Sequence, residues 1–250
     1  MRKDNMKKDK YDEIDKYLST NLTDKYQVVG VGNAEFENLF NMLFNSKRFD
    51  APDRYFIDSN TIYIFEHFEI DSSKHTKKGS SSKTIEKAED RKIEKILQNH
   101  KNETYKVSGQ LMIENSAEYY LNELLNLTKS HYKHINLYKE NVIKDAGIDP
   151  KKYEFKFAFI IEDTSILGTI REDNGDLVFP YCIKEYMEYL RTLNKIDFLI
   201  CSNHLGNEYM TYAISKDSFA TNSNKEYEIL KAGICNSNPS YTHVQLPLKK

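Results

Sequence analysis

Residues 52–71, PDRYFIDSNTIYIFEHFEID, constrain the fold more than any other stretch of the sequence. Two apolar runs, at 55–57 and 61–65, flank a turn at Asp58-Ser59-Asn60, a pattern that predicts the two strands of a hairpin. A run with so little polar alternation is typical of a strand that is covered on both faces. We expect the second strand to end where the charged residues begin, at Glu66.

The composition is that of a folded protein with a full-size core. The chain has 250 residues with 18 tyrosines and 13 phenylalanines, an aromatic content too high for a disordered chain. The formal net charge of -2 excludes a global basic field, so a surface for nucleic acid would have to be a local patch. The three cysteines lie far apart, which argues against a zinc ribbon or a disulfide scaffold. Without an apolar leader or a long apolar window, we expect a cytoplasmic protein that does not enter a membrane.

The order of the predicted elements indicates one α/β domain over residues 1–250, with a mixed central sheet flanked by helices. Ser116 is expected to cap a long helix that ends at Gly147, because serine suits the first position and glycine the last. We interpret residues 84–150 as a helical insertion beside the sheet. Other elements are predicted from their periodicity: helices at 2–19, 33–45 and 183–193, and strands at 26–31, 153–161, 196–201 and 209–214.

A polar and basic segment, SSKHTKKGSSSK, follows the hairpin and predicts a mobile loop. Its positive charges form a patch close to the acidic hairpin: Lys74, Lys77, Lys78 and Lys83. This loop either binds nucleic-acid phosphates or is a solvated linker. In the second case the hairpin acids Glu66, Glu69 and Asp71 would be solvated or paired with these lysines, and surface pairs of this kind contribute little stability.

The acidic residues of the hairpin are arranged for a magnesium site. Asp53 at the start of one strand and Glu66 at the end of its partner are expected to reach the same edge of the sheet. Mg²⁺ takes oxygen ligands and keeps several waters, so two or three carboxylates are sufficient. Such an ion promotes phosphodiester hydrolysis by acidifying the attacking water and stabilising the leaving oxygen. Strand alternation places Glu66 and Phe68 on one face and His67 on the other.

Two short motifs, Pro52-Asp53 and Glu66-His67-Phe68, follow a predicted helix that carries Glu37. This arrangement resembles the PD-(D/E)XK nuclease superfamily, which includes many restriction endonucleases and archaeal Holliday-junction resolvases. The resemblance covers residues 33–72 and, more loosely, residues 153–203. It implies a restriction-endonuclease-like core in which Glu37, Asp53 and Glu66 hold Mg²⁺, with Asp53 and Glu66 as catalytic residues.

The motif lysine of that family does not match, because its position holds Phe68. An aromatic ring neither donates a proton nor stabilises an oxyanion. Either Lys74 or Lys156 supplies the catalytic amine from a neighbouring element, or the protein has kept the fold and lost catalysis. The leading hypothesis is a metal-dependent, nuclease-like protein that hydrolyses or binds nucleic-acid phosphodiesters.

A second hypothesis is a non-catalytic module that binds a protein partner through a tyrosine-rich face of the long helix. Four tyrosines would form this surface: Tyr119, Tyr120, Tyr132 and Tyr138. His131 and His134 of the same helix have a spacing that can chelate a metal. Because no third ligand accompanies them, we interpret both as packing or surface residues.

Overall fold

The computed structural model describes residues 26–28, 33–76, 79–99, 104–111, 113, 115–165, 180, 183–205, 208–221 and 240–245. The predicted helix at 2–19 and the predicted phosphate contacts Lys77 and Lys78 lie outside the described residues. None of the helices within these ranges combines the length and the apolar character needed to cross a membrane.

A seven-stranded mixed sheet is the centre of the fold. The strands of the chain are β1 (Tyr26–Val28), β2 (Lys47–Arg48), β3 (Arg54–Asp58), β4 (Thr61–Ile70), β5 (His75–Thr76), β6 (Gly79–Ser80), β7 (Tyr105–Gln110), β8 (Glu154–Asp163), β9 (Phe198–Leu205), β10 (Glu208–Ser215) and β11 (Ser240–Gln245). The central sheet has the order β1-β10-β9-β8-β4-β3-β2, and the other strands form the pairs β5-β6 and β7-β11. β4, β8 and β9 run parallel, whereas β2, β3 and β4 form an antiparallel meander.

Helices cover both faces of this sheet, which confirms the predicted α/β class. The helices are α1 (Asn33–Phe44), α2 (Ser81–Asn99), α3 (Ala117–Ala146), α4 (Lys184–Arg191) and α5 (Lys216–Thr221). α1 packs on the face that carries Phe65 of β4 and Ile160 of β8. α3 and α4 pack on the opposite face, which carries Phe68 of β4 and Phe159 of β8.

β4 is buried on both faces, as its apolar sequence predicts. The prediction that it ends at Glu66 is wrong, because the strand continues to Ile70. The neighbouring strand β8 pairs with β4 over its whole length and extends it through the charged residues. β3 pairs with β4 only as far as Phe65, opposite Arg54. Residues 66–70 therefore lie beyond the end of β3.

The ends of α3 confirm the predicted helix signals. Ser116 accepts a hydrogen bond from the backbone N–H of Tyr119 at 3.0 Å, and Gly147 follows the helix with a left-handed φ of 63°. α3 buries Tyr120, Leu124 and other residues in the main core against β4 and β8. The second half of the predicted insertion at 84–150 is therefore part of the α/β core.

The first residues after β4, at 71–73, are held by buried contacts, although the sequence predicts a mobile loop that begins at Ser72. Asp71, Ser72 and Ser73 are buried, and Asp71 Oδ1 accepts hydrogen bonds from the backbone N–H (2.8 Å) and hydroxyl (2.6 Å) of Ser73. The backbone N–H of Ser116 donates to the carbonyl of Ser72 at 2.9 Å. Ser72 and Ser73, the first two polar residues of the predicted loop, are therefore satisfied inside the protein, and they connect the end of β4 to the start of α3.

Candidate functional site

Asp53 and Glu66 lie next to each other where β3 begins and β4 runs past it. Glu66 Oε2 accepts a hydrogen bond from the backbone N–H of Asp53 at 3.3 Å. In return, Asp53 Oδ2 accepts from the backbone N–H of His67 at 2.7 Å. The two carboxylates thus bond to backbone groups of the neighbouring segment where the β3–β4 ladder has ended. The hairpin brings these two predicted site residues together.

The side chain of Glu66 is only 10% exposed and is held in place by α3. Its Oε1 accepts a hydrogen bond from the hydroxyl of Tyr138 at 2.7 Å and lies 2.7 Å from Nδ1 of His131. Burial and the bond to Glu66 hold the pKa of Tyr138 well above its usual range, so its hydroxyl stays protonated and donates. The imidazole of His131 also stacks on the ring of Phe68, with centroids 4.8 Å apart and planes 10° apart. Glu66 is therefore fixed in orientation by two side chains of another element.

The sequence interpretation of His131 as a packing residue captures its stacking on Phe68 and misses its contact with Glu66. The sequence feature that could have indicated this contact is the seven-residue spacing of His131 and Tyr138, which places both residues on one face of α3. His134 is exposed, and its ring centroid lies 6.1 Å from that of Tyr138. In the part of the chain that the structure describes, no group of three or more His, Cys, Asp or Glu side chains is arranged to hold a metal ion.

A second polar pair lies on the other face of the sheet, behind Glu66. His67 Nε2 of β4 is 3.1 Å from Glu162 Oε2 of β8, and both residues are buried. Burial alone lowers the pKa of His67. The hydrogen bond to Glu162 and the nearby carboxylates, including Asp53, outweigh burial and raise this pKa above its ordinary value.

The structure does not bring Glu37 or Lys156 to Asp53 and Glu66. Glu37 is exposed on α1, which packs on the sheet face opposite to that of Glu66. Lys156 pairs with Tyr63 near the start of β8, and its Nζ lies 6.0 Å from the ring centroid of Phe198. Strand alternation directs Lys156 to the face opposite Glu66, because it is one residue out of phase with Phe157 and Phe159 of the α3 face.

The two described lysines of the basic segment have different surroundings. Lys83 forms an ion pair with Glu69 at 2.5 Å, so the alternative in which this segment pairs with the acidic strand is confirmed at this position. Lys74 is exposed and borders a cavity beside α3.

The predicted tyrosine-rich surface of the long helix is wrong for two of its four members. Tyr120 is fully buried and donates its hydroxyl hydrogen bond to Asp163 Oδ2 at 3.1 Å. Tyr138 is buried against Glu66. Tyr119 and Tyr132 are half-buried. α3 buries the tyrosine face because its apolar stripe covers the sheet, and the hydroxyls reach carboxylates at the strands below.

A second group of carboxylates gathers at the carboxyl ends of the parallel strands β4 and β8. Asp163 is buried, and burial raises its pKa to about 6 although Ser165 and Tyr120 bond to it. Glu123 of α3 accepts a hydrogen bond from the backbone N–H of Asp71 at 3.1 Å. Burial, and next the charge of Asp71, raise the pKa of Glu123 to about 8. Glu123 is therefore mainly protonated at neutral pH.

The raised pKa of Glu123 predicts a pH-dependent effect of Glu123→Gln. Between pH 4.5 and 8 the folded protein keeps a proton that the unfolded chain has lost, so the free energy of unfolding falls as the pH rises. Glutamine keeps the acceptor for Asp71 and cannot ionise. We expect thermal melts to show the variant as more stable than the wild type at pH 9, with the difference shrinking towards pH 5.

Glu118→Gln is the control for this experiment, because Glu118 is exposed on the same helix. If the stability of Glu123→Gln relative to the wild type were the same at pH 5 and pH 9, this would contradict a buried, protonated Glu123.

Comparisons of the chain with models of protein families, with curated proteins and with solved structures gave no match. The function is therefore inferred from the motif and from the geometry of Asp53 and Glu66.

Proposed function

We propose that the protein is a nuclease-like enzyme that hydrolyses nucleic-acid phosphodiesters with Mg²⁺ held at Asp53 and Glu66. The observation that carries this proposal is the arrangement of Glu66. Burying a carboxylate is unfavourable unless hydrogen bonds compensate it. Here Tyr138 and His131 supply such contacts from α3 and orient the carboxylate beside Asp53. Partners of this kind typically orient the ligands of a metal centre.

The pair of carboxylates fits Mg²⁺ without Glu37. Mg²⁺ is commonly bound by one or two protein carboxylates, with waters and substrate phosphates completing its coordination. Glu66 Oε1 is engaged by α3, whereas Oε2 has the longer contact of 3.3 Å to the backbone of Asp53. The ion would be held by Oε2 of Glu66 and by the carboxylate of Asp53. When bound, the ion acidifies the attacking water and neutralises charge on the phosphate.

The chain's own residues orient this site and receive the substrate. Phe68 stands where the family motif has its lysine, and it supports His131 through ring stacking. His131 and Tyr138 are thus positioning residues for Glu66. The exposed Lys74, with Lys77 and Lys78 three and four residues later in the sequence, would neutralise backbone phosphates of the nucleic acid.

A cleavage assay with Asp53→Asn tests this function. Single- and double-stranded DNA and RNA are incubated with the protein in Mg²⁺, in Mn²⁺ and in EDTA. We expect metal-dependent cleavage by the wild type and a loss of about 100-fold or more in Asp53→Asn, since a neutral amide is a poor ligand for Mg²⁺.

Asp58→Asn is the matched control, because Asp58 is exposed at the turn of the same hairpin. Its cleavage rate is expected to equal that of the wild type. Cleavage that persists in EDTA, or that Asp53→Asn leaves unchanged, would refute the proposed site. A wild type that neither cleaves any of these substrates nor binds a divalent metal would refute the function as a whole.

A further inference from the structure

A cavity of about 300 Å³ lies beside the N-terminal half of α3, next to the end of β4. The residues that line it are Lys74, Tyr119, Asn122, Glu123, Asn126 and Leu127. Five of the six recur along α3 at spacings of three and four residues, so they share one face of the helix. Lys74 closes the cavity from the segment that follows β4.

The lining combines one aromatic ring, two amides and one cation. Of the lining residues, Tyr119 and Leu127 are half-buried and offer apolar surface, whereas Asn122 and Asn126 are exposed. The two amides lie one helical turn apart, and each offers both a donor and an acceptor. Proteins commonly bind single-stranded nucleic acid by stacking bases on aromatic side chains, bonding base edges through polar groups and neutralising phosphates with lysine.

Two elements, β4 and α3, connect the cavity to the candidate catalytic site. Glu123 bonds to the backbone of Asp71, which directly follows β4. On α3, Glu123 precedes His131 by eight residues, which is roughly 12 Å along the helix axis. A short stretch of nucleic acid at Asp53 and Glu66 would extend over this distance.

Charge at the cavity is compatible with a phosphate. Because burial and Asp71 raise the pKa of Glu123 to about 8, this side chain is mainly neutral at pH 7. A neutral Glu123 does not repel a phosphate group, and Lys74 attracts it. The carboxylate of Asp71 is buried and accepts two hydrogen bonds from Ser73.

We propose that this cavity binds one nucleotide of a single-stranded segment of the substrate, with the base stacked on Tyr119, its edge bonded to Asn122 and Asn126, and its phosphate on Lys74. The inference depends on the proposed function, since it makes the cavity a subsite for the same nucleic acid.

Fluorescence anisotropy with a labelled twelve-nucleotide thymidine strand in EDTA tests this subsite without cleavage. The variants are Tyr119→Leu and the double substitution Asn122→Ala with Asn126→Ala. We expect each to weaken binding about tenfold, as the loss of one stacked or bonded base does. Asn136→Ala is the matched control, because Asn136 is exposed on α3 about 21 Å along the helix from Asn122. This variant should bind the strand with the affinity of the wild type.

Thermal melts confirm that each variant is folded before its affinity is compared. Affinity that neither variant changes, or a wild type that does not bind the strand, would overturn the nucleotide site. The proposed function is judged separately by metal binding and by cleavage in Asp53→Asn. If metal binding and cleavage are both lost in that variant while strand affinity is independent of Tyr119, the proposed function is supported and the nucleotide site is refuted.

Discussion

Substitution of Glu66 by glutamine is expected to reduce metal-dependent phosphodiester cleavage by about 100-fold or more. Glutamine has nearly the same size and keeps an oxygen that accepts from Tyr138, so the packing against α3 is retained. The negative charge that attracts Mg²⁺ is lost. A bound metal contributes several kcal/mol to the transition state, and about 1.4 kcal/mol corresponds to a factor of ten in rate. Initial cleavage rates at saturating Mg²⁺ measure the effect.

Glu37→Gln is the control that distinguishes a metal site of two carboxylates, Asp53 and Glu66, from the three-carboxylate site that the family motif implies. Both substitutions remove one carboxylate charge, but Glu37 is exposed on α1 at the opposite face of the sheet. We expect its cleavage rate to stay within about twofold of the wild type, as for a surface substitution remote from the site. An equal loss in Glu37→Gln and Glu66→Gln would contradict the two-carboxylate site and restore the three-carboxylate site of the family motif.

Leu124→Ala is expected to lower the free energy of unfolding by about 2–5 kcal/mol, the usual cost of removing a buried leucine side chain. Leu124 of α3 is fully buried in the core that α3 shares with β4 and β8. The cost follows from the position of α3 as the layer that covers the sheet and holds Glu66. Urea unfolding followed by circular dichroism measures it.

Leu137→Ala on the same helix provides a matched comparison, because Leu137 is 48% exposed. Its effect should stay within about 0.5 kcal/mol. If both substitutions had similarly small effects, α3 would not be the layer that covers the sheet and holds Glu66.

Features set by local chemistry could be predicted from the sequence. The turn at residues 58–60 and the apolar runs on either side define the β3–β4 hairpin. Ser116 and Gly147 mark the ends of α3 because their capping preferences act within one helical turn. The proximity of Asp53 and Glu66 follows from the antiparallel register of the hairpin: Arg54 lies opposite Phe65, so the next residues along, Asp53 and Glu66, meet.

Features set by tertiary packing could not be predicted in this way. β4 continues past Glu66 because β8, more than 80 residues later in the chain, pairs with it. The contacts of Glu66 with His131 and Tyr138 depend on how α3 lies across the sheet, which periodicity does not specify. The position of Glu37 likewise depends on which face α1 covers. These long-range contacts set the orientation of Glu66 in the candidate site.

Isothermal titration of Mn²⁺ into the protein tests the central claim most directly. The wild type, Glu37→Gln and Asp58→Asn are each predicted to bind the ion, and Asp53→Asn and Glu66→Gln are predicted to lose this binding. An absence of binding by the wild type, both alone and with nucleic acid present, would contradict the metal site. Binding that survives in both Asp53→Asn and Glu66→Gln would show that any metal lies elsewhere and that these two carboxylates are structural.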